Sequence, residues 1–291
     1  MRSWMKQCCV MVCVLGMSMT AWSADAQGVR VPFTIENFVD VAHPQVYVQG
    51  GVPLPLGQVQ PDMSMRVQDA QGTPVEAEVN VTAYWQDGSV KWVLVRMQPD
   101  LQALHTLNYS LVLGDAVPSS PPTSFAREDE TSIQVDTGLL RFSVSKTSAN
   151  LFDTLAIAQN GEWTTLLESA AHSGLFLDID RRKEGSEESI HFEANADEKQ
   201  FRATLEEASP LQTVIRIDGI HVSASGETFA PYTLRLYAHK NSSQLRLVHT
   251  FIYDGEPRED FVRAIGLRLE LAPVEVTGYL FGTDRGYGAQ T

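Results

Sequence analysis

The chain of 291 residues is 43% hydrophobic and 20% charged, with a formal net charge of -14 and three cysteines. That balance describes an acidic globular protein and excludes both a disordered chain and a disulfide-dense scaffold. With 36 acidic against 22 basic residues, a nucleic-acid partner is excluded too, because phosphate affinity comes from clustered Lys and Arg.

At roughly 100 to 200 residues per domain, the length predicts two domains. Residues 1–26 carry Arg2 and Lys6, an apolar run from Cys8 to Met17, and Ala24-Asp25-Ala26 ahead of Gln27. A charged start, a short apolar stretch and an A-x-A site predict a cleavable secretory signal. The run is too short to be a membrane span, which needs about 20 apolar residues. Cys8, Cys9 and Cys13 all fall inside this leader. The exported chain is therefore expected to lack disulfides, Cys nucleophiles and Cys-ligated zinc, to be secreted or periplasmic, and to have no membrane partner.

From Val29 onward, short runs of Val, Ile, Leu, Tyr and Thr alternate with Gly, Pro, Asn and Asp, an all-β pattern. Val75, Ala77, Val79, Val81 and Ala83 alternate with polar or larger residues and predict a half-buried strand. Asp87-Gly88 separates it from Val90–Val95, and a D-G step predicts a two-residue type I′ hairpin pairing the two. Pro118 to Thr123 and the charged Arg127 to Glu130 read as a linker, 118–130, between a β domain at 27–117 and a second at 131–281. In the second, strands are predicted near 133–135, 139–144, 175–179, 190–193, 213–222, 232–238, 244–253 and 262–271. Residues 197–208 suit a short helix by propensity, but the alternation of Phe201, Ala203 and Leu205 favours a strand. Residues 282–291, rich in glycine and without periodicity, read as a connection that stops short of a finished element.

Three motifs occur in order: Gly50-Gly51-Val52-Pro53-Leu54-Pro55-Leu56-Gly57, Asp69-Ala70-Gln71-Gly72, and Trp85-Gln86-Asp87-Gly88-Ser89-Val90-Lys91-Trp92. Together they resemble the N-terminal RIFT barrel domain of exo-rhamnogalacturonan lyase-like proteins. Val135-Asp136-Thr137-Gly138-Leu139-Leu140-Arg141-Phe142 and Arg216-Ile217-Asp218-Gly219-Ile220-His221 are similar to the central β-sandwich of the same proteins. The resemblance, over most of 30–280, implies a small RIFT-type β-barrel followed by a β-sandwich. It further implies a helical α/α toroid that carries lyase activity on rhamnogalacturonan. No helical third is present in this sequence, so the resemblance implies a non-catalytic front portion whose partner module is a missing C-terminal toroid.

Elimination from a uronate needs a base, a cation for the carboxylate and an acid for the leaving oxygen. On the strand near 232–239, Thr233, Arg235, Tyr237 and His239 share one face. Arg235, Tyr237 and His239 are the catalytic candidates, and Arg216 and Arg246 on neighbouring strands are candidate ligands for an acidic polysaccharide. The competing reading is a solvated face with its arginines paired to Asp218, Glu270 and other acids. Trp85 and Trp92 are candidate sugar-stacking rings, or core packing for the barrel. His221 and His249 lie on apolar faces and read as satisfied core histidines. His43, His105, His172 and His191 show no ligand or triad spacing. Asp178 and Asp180 share a strand face and could contribute to a Ca²⁺ site, but Arg181-Arg182-Lys183 oppose a cation, so a strand end and charged loop are expected instead. No P-loop, H-E-x-x-H or G-x-S-x-G pattern occurs, and neither cofactor nor metal is expected. The expected function is an exported support for, or binder of, acidic polysaccharide. The alternatives are a stand-alone extracytoplasmic binding or structural β protein, and an active lyase.

Overall fold

A computed structural model describes residues 24–25, 28–114, 123–168, 173–194, 201–272, 279–283 and 286–290. Every regular element among them is a strand. The chain divides into two compact units, Met1–Ser124 with Ser209–Leu211, and Phe125–Ala208 with Gln212–Thr291. The predicted leader falls almost wholly outside the described residues, as do 118–122 of the predicted linker and His172.

The first unit contains β1 (Ala24–Asp25), β2 (Gly28–Glu36), β3 (Val48–Pro53), β4 (Ser64–Asp69), β5 (Ala77–Tyr84), β6 (Val90–Met97) and β7 (Thr106–Gly114). They form two antiparallel sheets, β1-β2-β7-β4 and β3-β6-β5. Phe33, Ile35, Val52, Val67, Val93, Val95 and Leu111, alternate residues of these strands, close one core between the sheets. The Asp69 to Gly72 turn is held by the Asp69 carboxylate, which accepts the Gln71 and Thr73 amides at 2.9 and 2.8 Å. β5 and β6 pair as their alternation predicts, but the turn between them is not type I′. Only Gly88 has positive φ, at 85°. Gly88 N–H donates to Trp85 O, and Trp85 N–H to Ser89 O. The loop is thus three residues long, a type I turn followed by a left-handed glycine.

The second unit contains β8 (Ala126–Glu128), β9 (Ser132–Asp136), β10 (Leu140–Ser145), β11 (Thr154–Gln159), β12 (Glu162–Leu167), β13 (Ser173–Lys183) and β14 (Ser186–Ala194). It continues with β15 (Arg202–Ala208), β16 (Gln212–Ser223), β17 (Thr228–His239), β18 (Leu245–Phe251) and β19 (Asp260–Leu269). One sheet runs β12-β11-β10-β9-β8, and the other runs β18-β17-β16-β14-β13-β19 with β15 also paired to β16. Ile133, Val135, Phe142 and Val144 of the first sheet meet Ile215, Ile217, Leu234 and Leu236 of the second in one core, which makes the unit a sandwich.

Three boundaries differ from expectation. Arg127 and Glu128, expected in the linker, lie on edge strand β8, where both side chains point to solvent. Arg181–Lys183, expected in a loop, continue β13, because the Arg181 guanidinium is taken up by Glu227 and Asp260. Residues 282–291 were expected to be free of elements, yet β20 (Tyr279–Thr283) and β21 (Gly286–Gln290) pair as a hairpin. The alternating segment from Arg202 onward is a strand, as favoured.

Gly219 has a packing reason. It lies across the ladder from Tyr232, and a β-carbon there would sit 2.5 Å from the Tyr232 hydroxyl oxygen and 2.6 Å from Cζ. Tyr232 is 5% exposed and packs within the core of the sandwich. Gly219→Ala is therefore expected to lower unfolding stability by about 1–3 kcal/mol, as overpacked cores do. Urea denaturation checks this, and an unchanged midpoint would contradict the packing account.

Candidate functional site

The outer face of the seven-stranded sheet is where the candidate residues meet. Along β17, Tyr232, Leu234, Leu236 and Ala238 are buried, while Thr233, Arg235, Tyr237 and His239 alternate outward. Arg216 on β16 lies directly opposite Arg235, and Arg246 on β18 directly opposite Tyr237. The strand register thus gathers Arg216, Arg235, Tyr237, His239 and Arg246 on one surface.

Like charges facing each other across a ladder repel. Here two carboxylates absorb the repulsion. Glu206 accepts from Arg235 Nε and Nη2 at 2.6 and 2.9 Å and lies 3.9 Å from Arg216. Asp218 accepts from Arg216 Nε and Nη2 at 2.9 to 3.1 Å, and from the Thr233 hydroxyl at 2.6 Å. The Arg235 hydrogen bonds hold the Glu206 carboxyl below its ordinary value. Burial resists ionisation of Asp218, but Arg216 and Thr233 together outweigh it and hold that carboxyl low as well. The pairing of Arg216 with Asp218 is the one expected for a solvated face.

Arg246 differs from both. It has no carboxylate partner among the described residues, and its guanidinium stands 5.5 Å from the centre of the Tyr237 ring. His239 is spoken for through Nε2, 3.2 Å from Gln212 Oε1. Among the described residues of β16, β17 and β18, Arg246 is therefore the arginine without a carboxylate partner, and it stands beside an aromatic ring. The face does not bring a free base, a free cation and an acid to one point.

The barrel tryptophans play separate parts. Trp85 donates its indole N–H to Leu54 O at 3.0 Å, and Lys91 Nζ lies 4.5 Å from its ring centre. Ser89, fully buried, donates to Asp87 at 2.6 Å and accepts the Gly57 amide at 2.9 Å. The W-x-D-G-S motif thus ties its turn to the Gly50–Gly57 segment, and Trp85 is a structural clasp. Trp92 covers Gly51 with one face and remains 38% exposed.

A second group on the same sheet escaped the sequence reading. His191 Nδ1 bonds Asp178 Oδ1, and Nε2 lies 3.3 Å from Glu193. Arg263 lies 4.0 Å from Asp178 and 3.9 Å from Asp180. Chiefly through Asp178, His191 keeps its proton to higher pH than an ordinary histidine. The signal was the Glu184-Gly185 step. Taken as a two-residue turn it pairs Lys183 with Ser186 and, counting outward, Asp178 with His191. His221 and His249 do face the interior, but neither is satisfied, since both Nε2 atoms are buried without a hydrogen-bond partner. Among the described residues, no group of three or more His, Cys, Asp or Glu is placed to hold a metal ion.

A small all-β barrel unit followed by a β-sandwich with a mixed-charge outer face defines the class of this protein. Comparison gives the family. Residues 37–104 match the PcRGLX-like N-terminal RIFT barrel domain, and residues 125–278 match the PcRGLX-like protein central beta sandwich domain. The chain belongs to this PcRGLX-like, rhamnogalacturonan lyase-like family. It is 27% identical over 226 residues to the uncharacterized protein YetA of Bacillus subtilis (strain 168), covering 77% of this chain and 25% of that relative. The chain thus spans a quarter of that relative's length. Among solved structures it is similar to a protein in the glycosyl hydrolase family 38 from Enterococcus faecalis, at TM-score 0.46 and 14% identity, covering 89% of this chain and 35% of the other. An alpha-mannosidase from Enterococcus faecalis V583 follows at TM-score 0.40 and 16% identity, covering 76% and 30%.

The carboxylate pairing makes a pH prediction. Both Glu206 and Asp218 have lowered folded values, so the stability they contribute is present above their unfolded values, about pH 4. It is lost as pH falls through the folded values. Glu206→Gln should flatten the acid limb of the stability curve below about pH 4. Chemical denaturation across pH measures this, and an acid limb identical to wild type would remove Glu206 from the account.

Proposed function

We propose that this chain is an exported, non-catalytic β portion of a rhamnogalacturonan lyase-like system that binds or supports acidic polysaccharide through the outer face of β16, β17 and β18. The observation that carries the reading is Arg246, an exposed guanidinium without a carboxylate partner among the described residues, set beside the Tyr237 ring. A uronate supplies a carboxylate for the cation and an apolar ring face for the aromatic. Family membership supports the choice of a pectic polymer over other anions. The leader pattern supports export.

Arg216 and Arg235 belong to the framework of this face, because their charges are already met by Asp218 and Glu206. For the same reason elimination chemistry on this face lacks its cation next to a base, and binding is the reading the geometry favours. The lyase step is assigned to a helical module of the full system.

Titration with rhamnogalacturonan and oligogalacturonate fragments by calorimetry tests this. Binding in the range of about 0.1–1 mM is expected for one exposed charge-assisted site, without growth of the unsaturated-uronate absorbance. Arg246→Ala with Tyr237→Phe should weaken it about tenfold or more, roughly 1.4 kcal/mol. No binding by wild type, or binding indifferent to the double substitution, would refute the site. Accumulating unsaturated product would refute the non-catalytic reading.

A further inference from the structure

We propose that His221 and His249 form an acid-sensitive latch for the edge strand β18. The inner face of the seven-stranded sheet carries Ile215, Ile217, Gly219 and His221 from β16, and Tyr232 and Leu234 from β17. From β18 it carries Leu247, His249 and Phe251. The His221 and His249 rings meet edge to face with centroids 5.7 Å apart. Tyr232 lies 4.9 Å from His221 and 5.7 Å from His249, and Phe251 lies 5.8 Å from His249. Two imidazoles and two aromatic rings thus hold the last strand of the sheet against its neighbour.

The protonation state follows from the bonds. His221 is fully buried, and its Nδ1 lies 2.8 Å from Ala230 O. A carbonyl only accepts, so Nδ1 carries the proton and Nε2 holds a bare lone pair. That Nε2 and the His249 Nε2 are buried with no partner. A second proton on either ring places a charge beside another imidazole, and on His221 the new N–H at Nε2 has no acceptor.

The backbone at Ala230 and Phe229 favours a proton on His221, but burial outweighs it. β17 contributes the Tyr232 hydroxyl, pushed up to about 12 chiefly by burial and so neutral throughout. Asp254, on the segment that follows β18, accepts the Ala230 amide at 2.7 Å. β14 places Ala194 opposite His221. Arg216 and Asp218 of β16 and Arg246 of β18 alternate onto the other face of the sheet. Consistent with this, burial lowers both histidines from their ordinary value, His249 to about 4.

The sign is that of a depressed group. The unfolded or detached strand binds protons that the packed strand refuses, so packing is full above about pH 6.5. It weakens as pH falls from there toward about 4. β18 is the element that yields, because it is an edge strand with a single partner, β17. Its release separates Arg246 from Tyr237. The resulting loss of sugar affinity in acid rests on the function proposed above, whereas the release itself does not.

Hydrogen exchange without any ligand tests the latch. After correction for intrinsic rates, amides of Leu245–Phe251 should exchange about tenfold faster or more at about pH 4.5 than at about pH 6.5. The β9–β10 ladder should not change. In His249→Phe, which keeps an aromatic ring but removes one of the two groups that take a proton, the acid increase should shrink markedly. Because that variant can fail to fold, the wild-type imidazole resonances provide a second reading, with His249 expected to titrate well below about 6.5. An exchange rate for β18 that ignores pH, an equal acid response in the variant, or an unshifted His249 titration would overturn the proposal. Failure of sugar binding with the exchange response intact would overturn only the functional reading.

Discussion

Two arginines face each other across the ladder between β16 and β17, and the outer surface of the sandwich depends on how that repulsion is settled. Glu206 and Asp218 settle it with one carboxylate each, leaving Arg216 and Arg235 as parts of a neutral framework. Arg246, one strand further out, is left without such a partner among the described residues. The same charge type at three positions therefore serves two purposes, and only the pairing tells them apart. An ion pair this exposed contributes little to stability. Its larger effect is to decide which cation remains available to a ligand.

The sheet that carries this face has a second dependence on its inner side. β18 and β19 end its main strand order, β15 branches off beside β16, and residues 252–259 connect β18 to β19. Tyr253 stands edge-on to Phe229 at 5.7 Å, and Gly255 lies so close to that ring that a β-carbon would fall 2.5 Å from it. Tyr253 also donates to Asp260 O at 2.7 Å, and the Asp260 carboxylate takes Arg181 Nε at 2.6 Å. This connection closes a separate small cluster of Leu177, Ile179, Phe192, Phe229 and Ala230. Beside it lies the histidine pair, so the edge that presents Arg246 outward is held from within by groups that can gain a proton.

Much of this was legible before the structure. Strict alternation in β17 predicted both its buried and its exposed faces, because a side-chain period of two leaves no other assignment. The barrel and sandwich followed from motifs whose residues do identifiable work, such as Ser89 accepting the Gly57 amide. What alternation lacks is register. Asp178 and His191 meet because a tight turn at Glu184-Gly185 lengthens β13 beyond its apolar run, into residues whose charge suggested a loop. The Asp87-Gly88 step was a turn of the wrong type for a similar reason: a dipeptide marks the bend, but the flanking hydrogen bonds choose its length. The unsatisfied nitrogens of His221 and His249 were hidden altogether. Facing a core is a property of one strand, whereas lacking a partner depends on every element packed against it.

The central claim is that, of Arg216, Arg235 and Arg246 on β16, β17 and β18, Arg246 is the one free to meet a carboxylate. Side-chain Nε–Hε resonances of Arg216, Arg235 and Arg246, followed by NMR during titration with oligogalacturonate, read this directly. The account predicts that the Arg246 resonance moves with saturation while those of Arg216 and Arg235 stay within the small shifts of bystanders. Movement of Arg216 or Arg235 with Arg246 unaffected would contradict it.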